Sequence, residues 1–246
     1  MALADRIMAW IREQVERAGA DGVVLGLSGG VDSATVLGLS IKALGVEHVR
    51  GLILPVHSLP QDSADAELAA NAFGLEPVTI DLTSAYDALV AALPSGTDLA
   101  NANLKPRLRM IAVYQVAGSE GKLVIGTGNK TELLVGYFTK YGDGGVDLMP
   151  LAGLYKHQVW GLAAEIGVPK PLIEKPPSAG LWPGQTDEEE MGISYPDLDA
   201  TLEAIERGDT GGLPAERVER VRSMMAQSEH KRRLPPIFDP ERENGR

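Results

Sequence analysis

The chain has no cysteine at any of its 246 positions. A zinc ribbon, a disulfide framework and a catalytic thiol are therefore all excluded within it. Long apolar runs are also missing. None approaches the ~20 residues that a membrane-spanning helix needs, so no membrane partner is expected. Near the N-terminus, Asp5, Arg6, Arg12, Glu13 and Glu16 interrupt the apolar pattern. That excludes a signal peptide and makes the cytoplasm the expected compartment. Positive charge is in short supply: Lys and Arg total 23 against 34 Asp and Glu, a formal net charge of −11. Such a balance disfavours nucleic acid and anionic membranes as partners, although a few local cations still suffice to build a pocket for one small anion. The length fits one large domain over residues 1–246, with a substantial core.

What is present is an alternation of short apolar runs and helical patterns. Leu3, Ile7, Ile11, Val15 and Ala18 recur at helical spacing. Strands are expected at 23–27, 49–54, 78–82 and 122–126. Helices are expected at 34–44, 62–73, 84–92 and 104–117, the last with Leu108, Ile111, Ala112 and Gln115 inward. Alternating strands and helices imply right-handed crossovers and a doubly wound, Rossmann-like α/β fold, a parallel sheet flanked by helices. Further helices follow at 154–166, 195–207 and 214–230, making extra C-terminal helices. Between them, residues 169–187 are rich in proline and glycine, and an irregular loop of about 169–190 is the natural lid. The tail from about 235 to 246 is expected to be mobile.

The run Gly26-Leu27-Ser28-Gly29-Gly30-Val31-Asp32-Ser33 joins an apolar strand to a helix. That arrangement turns backbone N–H groups and a helix N-terminus toward an anion, with Ser28 and Ser33 adding hydroxyl donors. The usual Gly-Lys-Ser/Thr ending of an NTP loop is missing, so no lysine is set to hold a γ-phosphate. Asp32 stands where a metal carried by the phosphates would need a carboxylate. The second such string is Gly126-Thr127-Gly128-Asn129-Lys130-Thr131-Glu132. Thr127 can hydrogen-bond a nucleotide. Glu132 alone reads as a carboxylate on a helix dipole; opposite Asp32 across one crevice it becomes a second magnesium ligand. In open parallel sheets such crevices lie beyond the strands' carboxyl ends. A third string, Gly136-Tyr137-Phe138-Thr139-Lys140-Tyr141-Gly142-Asp143-Gly144-Gly145-Val146-Asp147, is either a shaped loop or an ordinary surface turn, and its composition does not decide.

The Ser-Gly-Gly-x-Asp-Ser loop resembles that of the N-type ATP pyrophosphatases, the adenine nucleotide alpha hydrolase-like group. With it, Asn103-Leu104-Lys105-Pro106-Arg107-Leu108-Arg109-Met110, the segment 138–151, Pro183-Gly184-Gln185-Thr186-Asp187-Glu188 and His230-Lys231-Arg232 resemble the ammonia-dependent NAD synthetase family. The likeness runs from the first helix to about Pro236. It implies ATP-dependent amidation of nicotinic acid adenine dinucleotide (deamido-NAD) by ammonia through a nicotinyl-adenylate, releasing AMP and pyrophosphate, in a homodimer. By that resemblance Gly26, Leu27, Ser28, Gly29, Gly30, Val31, Asp32 and Ser33 hold the phosphates of the co-substrate ATP. Thr127, Lys156 and Ser178 contact ATP, and Asp32 and Glu132 hold Mg²⁺. Arg107, Lys140, Asp147, His230 and Lys231 hold deamido-NAD, and Asp143 lies where ammonia arrives. Asp143 and Lys156 are the catalytic pair. Ser178 stands where the family often has threonine, and residues 54–62, with His57, match poorly. Lacking cysteine, the chain contains no glutaminase domain of the usual kind. The alternatives are another amidating pyrophosphatase, such as a GMP synthetase-like subunit, and a non-catalytic ATP-binding module.

Overall fold

The computed structural model describes residues 1–180, 182 and 184–238. Residue 183 of the lid string and residues 239–246 of the expected mobile tail lie outside the described residues. Four parallel strands form one sheet: β1 (Val23–Gly26), β2 (Val49–Ile53), β3 (Val78–Thr79) and β4 (Leu123–Val124), in the order β3-β2-β1-β4. Strand order therefore reverses between β1 and β4. At such a switch point the loops after the two strands part and leave a crevice.

Helices cover both faces of the sheet because β1 is apolar on both. Val23 and Leu25 pack into a core completed by α1 (Leu3–Ala18), α2 (Val31–Leu44) and α3 (Pro60–Ala72). Later in the chain α8 (Lys156–Ile166) and α9 (Lys170–Glu174) close the same core. Val24 points the other way, to Leu52, Leu54, Val124 and the Val113–Ala117 side of α6 (Leu104–Ser119). Between β3 and α6 lie α4 (Thr83–Ala92) and the short α5 (Asp98–Ala102). A third cluster joins α7 (Lys130–Val135), α10 (Asp187–Met191), α11 (Tyr195–Arg207) and α12 (Ala215–Gln227) through Val135, Met191, Leu198, Leu202 and Val221. Among the described residues no helix is long and apolar enough to cross a membrane.

The structure departs from the sequence expectations at several places. The expected inward face of α6 holds only in part: Ala112 packs on the core and Leu108 is half-buried, but Ile111 is 59% exposed and Gln115 lies outside, while Lys105, Pro106, Val113 and Ala117 are buried. Apolar residues stand on both sides of this helix, so spacing alone selected only part of the stripe. The segment 169–187 is less irregular than its composition suggests. Leu172 is buried and anchors α9, which leaves 175–180 and 184–186 as the irregular part among the described residues. The expected strand 78–82 is shorter as a ladder, although Ile80 and Leu82 still donate to the carbonyls of Ile53 and Pro55. The helix expected to end at 230 stops at Gln227 and continues as a 3-10 turn, Glu229–Lys231.

Candidate active site

A cavity of about 520 Å³ opens at the β1/β4 switch point. Its wall begins with the loop after β1. Gly29 has φ +76°, and a Cβ there would lie 2.7 Å from the Asp62 carbonyl oxygen and 2.8 Å from the Asp65 Cβ. Only glycine satisfies both the left-handed backbone and the contact with α3. The α2 N-terminus carries no side-chain cap, so its first N–H groups are available to an anion. The loop's hydroxyls meanwhile bond one another: Ser28 Oγ and Ser33 Oγ are 3.1 Å apart, Gly30 N–H donates to Ser28 Oγ, and Ser33 Oγ donates to the Gly30 carbonyl.

Opposite this loop, α7 begins with a reciprocal cap. Asn129 Oδ1 accepts from the Glu132 N–H at 3.0 Å and Glu132 Oε2 accepts from the Asn129 N–H at 3.3 Å. The cap fixes Glu132 toward the cavity. Asn129 Nδ2 then donates to Asp32 Oδ1 at 3.0 Å, which ties the two loops together. Lys156, the first residue of α8, completes the cluster. Its Nζ lies 2.5 Å from Asp32 Oδ2 and 3.3 Å from Glu132 Oε1, and the residue is 1% exposed. Burial works against its charge, but the two carboxylates outweigh burial and hold its pKa above the ordinary lysine value. Burial raises the Glu132 carboxyl, and Asp32 and Asp187 add to the rise, against the pull of Lys156.

Lys156 is held in turn from behind. Thr131 Oγ1 accepts from the Lys156 N–H at 2.9 Å and donates to buried Asp199 Oδ1 at 2.5 Å. The other oxygen of Asp199 accepts from the His157 N–H at 2.9 Å. Asp199, on α11, thus caps a helix to which it is not joined. At the start of α10, Asp187 accepts from the hydroxyls of Tyr137 and Tyr195, each at 3.0 Å, and Tyr195 also reaches Glu132 at 3.4 Å.

The Gly136–Asp147 string forms the opposite wall as a shaped loop. Gly142, Asp143, Gly145 and Val146 line the cavity. Asp143 Oδ1 accepts from the Thr139 N–H at 2.9 Å. Crowding by protein raises the Asp143 carboxyl, against backbone N–H bonds and the charges of Lys231 and Arg109. Lys231 donates to the carbonyls of Gly136 and Phe138 at 2.7 and 2.8 Å.

Of the residues singled out in sequence, Gly26, Leu27, Ser28, Gly30, Val31, Asp32, Thr127, Glu132, Asp143, Lys156, Ser178 and Lys231 line this one cavity. Gly29 and Ser33 sit just beneath its loop. Four others stand outside it. Arg107 reaches the Lys140 carbonyl at 3.4 Å, and Lys140 Nζ donates to the His230 carbonyl at 2.7 Å, so these three share an outer rim. Asp147 is turned to the sheet edge, accepting from the Val124 N–H at 2.8 Å and from Tyr114. His57 is likewise not in the cavity: it pairs with Asp87 at 2.7 Å. Ser58 and Arg109 line the wall there instead.

The NAD synthase family model matches residues 3–235 of this sequence. The chain belongs to the NAD synthase family. A relative from Archaeoglobus fulgidus, an NH(3)-dependent NAD(+) synthetase, is 51% identical over 96% of this chain and 95% of its own length. One of the same description from Methanosarcina mazei is 48% identical over 95% and 96%. Among solved structures, an NMN synthetase from Francisella tularensis superposes with TM-score 0.89 at 36% identity, covering 96% of this chain and 97% of its own. An NH3-dependent NAD synthetase from Campylobacter jejuni gives TM-score 0.85 at 30% identity, covering 97% and 100%. The family therefore accounts for the parallel four-stranded sheet and for nearly the full length of the chain.

Within this NAD synthase fold, Asn129, Thr131, Asp199, Tyr137, Tyr195 and Asp187 support the site but were not anticipated as site residues. Asn129 had a visible signal, the Asn-x-x-Glu capping pattern. Asp199 had none, because its partners lie on two other helices.

Proposed function

We propose that this chain is an ammonia-dependent NAD synthetase, adenylating the carboxylate of deamido-NAD with ATP and then amidating it with ammonia. The observation that carries the reading is the meeting of two features in one cavity: the Asp32–Lys156–Glu132 cluster beside the phosphate loop, and Asp143 on the facing glycine loop. The first suits the charge of a departing pyrophosphate, the second the arrival of a cationic ammonium.

Among the described residues no group of three or more His, Cys, Asp or Glu could hold a metal by itself. Asp32 and Glu132, which both reach the Lys156 ammonium, still fit Mg²⁺ by their chemistry, since it is usually held by one or two carboxylates together with substrate phosphates. Asp32 and Glu132 are those ligands in this reading. When bound, the ion neutralises charge that builds on the phosphates. The protein's own part is positioning and charge. Loop N–H groups and Ser28 hold the leaving pyrophosphate, Lys156 offsets its charge, and Thr127 and Ser178 contact ATP. The deamido-NAD carboxylate forms its bond to the α-phosphorus as the bond to pyrophosphate breaks. Ammonia then attacks the carbonyl carbon and AMP leaves. Asp143 holds the ammonium and takes up its proton. Closure of the segment around Ser178 excludes water from the adenylate. The chain offers no cysteine for glutamine hydrolysis.

Lys231 contacts deamido-NAD inside the cavity, and Arg107, Lys140 and His230 take its far end over the outer rim, with Asp147 nearby. A second copy packed on that side gives the expected homodimer, working in the cytoplasm as a single pyrophosphatase domain. The likeness to an NMN synthetase supports a second acceptor, the corresponding nicotinic acid mononucleotide. The test is product formation from ATP, Mg²⁺ and ammonium with each acceptor in turn. NAD appearing in step with AMP from the dinucleotide supports the first reading, and turnover with the mononucleotide alone supports the second. ATP binding without AMP release from either acceptor would leave a nucleotide-binding module.

A further inference from the structure

Among the described residues, four cationic side chains line the cavity: Lys156, Lys175, Lys231 and Arg109. Two are in direct contact with carboxylates. Lys156 meets Asp32 and Glu132, and Lys175 meets Asp65 at 2.7 Å and Asp62 at 3.3 Å. Among the described residues, Arg109 and Lys231 bond only neutral oxygen atoms. Lys231 already has a role in the reading above; Arg109 has none.

Arg109 lies on α6 and is fixed at two points. Its Nε donates to the Leu54 carbonyl at 2.9 Å, beyond the end of β2, and its NH2 group donates to Ser58 Oγ at 3.2 Å. A guanidinium has five N–H donors. Those remaining have no protein acceptor within bonding distance among the described residues, and the side chain forms part of the cavity wall. Burial lowers its pKa, while Asp143 and Asp62 favour its charge from beyond ion-pair distance. A crowded cation without a contacting anion is costly unless a ligand supplies one. Arg109 is also the cavity cation that stands between the two halves of the site. Asp62 and the Leu54–Ser58 anchor lie toward the phosphate loop, and Asp143 lies toward the ammonia side.

Resting on the synthetase reading above, we propose that Arg109 is a further catalytic residue, whose guanidinium contacts the anionic oxygens where the attacking carboxylate meets the α-phosphoryl group. In that step the carboxylate oxygen–phosphorus bond forms, and the bond to the β-phosphate oxygen breaks with its electron pair leaving on pyrophosphate. Charge on the α-phosphoryl oxygens persists through the step, so a rigid, two-pronged donor fixed before binding is suited to it. The anchors to Leu54 and Ser58 spend two donors on rigidity and leave the others for substrate.

The experiment measures pyrophosphate formed in a single turnover, acid-quenched, from MgATP and deamido-NAD without ammonia. Arg109→Gln is expected to slow this step by roughly 10²–10³-fold, the usual loss on removing one preorganised donor, with a much smaller change in the KM for ATP. Arg109→Lys, which keeps the charge but not the fork, is expected to fall between. Added methylguanidinium is expected to restore part of the rate in Arg109→Ala. Adenylation by Arg109→Gln within about threefold of the wild-type rate overturns the inference. So does a loss that follows only the melting temperature, with a folded Arg109→Lys fully active. No pyrophosphate from the wild-type enzyme overturns the synthetase reading, and this inference with it.

Discussion

Lys156 Nζ and Asp32 Oδ2 lie 2.5 Å apart, although 124 positions separate them in the chain. One opens α8 and the other the first turn of α2, and these two helices pack on the same face of the sheet. The pair joins the Gly26–Ser33 loop to the helix that supports the far side of the cavity. Glu132 shares the same ammonium at 3.3 Å.

Replacing that lysine leaves two carboxylates facing each other in a crowded site. Lys156→Met is expected to cost about 3 kcal/mol of stability, because removing one partner of a buried pair strands the other. For a chain of this size that is roughly 6–12 °C in melting temperature. Added Mg²⁺ is expected to restore part of the stability and none of the adenylation. Calorimetry with and without Mg²⁺ checks the first, and AMP release the second. A variant as stable as wild type would show that the carboxylates need no cation.

Gly29→Ala tests the phosphate loop. The left-handed φ of +76° and the 2.7 Å approach to the Asp62 carbonyl act together against any Cβ. A cost of about 2–4 kcal/mol is expected. ATP affinity, read by titration calorimetry, is expected to weaken at least tenfold as the loop shifts from α3. Gly180→Ala also stands at positive φ, +61°, but a Cβ there meets none of the described residues within 4 Å. It is expected to leave ATP affinity within about threefold, since only the backbone penalty applies.

Asp199→Asn keeps the shape of the buried cap under α8 and removes its charge. The carboxylate faces the α8 N-terminus through the His157 N–H and the Thr131 hydroxyl. Losing it is expected to cost about 1–2 kcal/mol. Thr131→Ala is expected to cost a similar amount, and the double variant less than the sum, because both act on one helix end. Additive losses in chemical denaturation would separate the two.

Asp143→Asn is expected to uncouple the reaction. Adenylation continues, NAD falls, and the ratio of AMP to NAD rises above one as water takes the adenylate. The Asp143 carboxyl is held above the ordinary carboxylate range, chiefly by burial. It is therefore ionised only above that raised value, and amidation is expected to fall on acidification sooner than an ordinary carboxyl would allow. The stability effect has the opposite sign. Between the ordinary and the raised pKa the folded state binds more proton than the unfolded state, so this group's contribution declines as pH rises through that window. Asp143→Asn is expected to flatten both profiles.

Much of this arrangement was legible in sequence, for local reasons. Gly26 to Ser33 and Gly126 to Glu132 each read as a strand running into a loop and a helix, and both loops stand at the cavity mouth. The α6 face was legible only in part: Ala112 was placed inward correctly, but Ile111 is as apolar as Val113 and nothing in their spacing says which of the two meets the sheet. The support shell was hidden for a different reason. Asp199 looks like any polar residue of an amphipathic helix until α8 and α7 are brought against it.

The sequence by itself determined what depends on neighbours along the chain. It placed the alternation of strands and helices, the glycines that a close turn requires, and the Asn129–Glu132 cap, because backbone sterics and short-range hydrogen bonds act over a few residues. Only the tertiary structure decided which charges meet. Lys156 pairs with Asp32 and Glu132, Lys175 with Asp62 and Asp65, and Arg109 with no carboxylate among the described residues. The attraction between two charges depends on their separation in space and on the water excluded around them, and neither quantity is written in the distance between two residues along the chain.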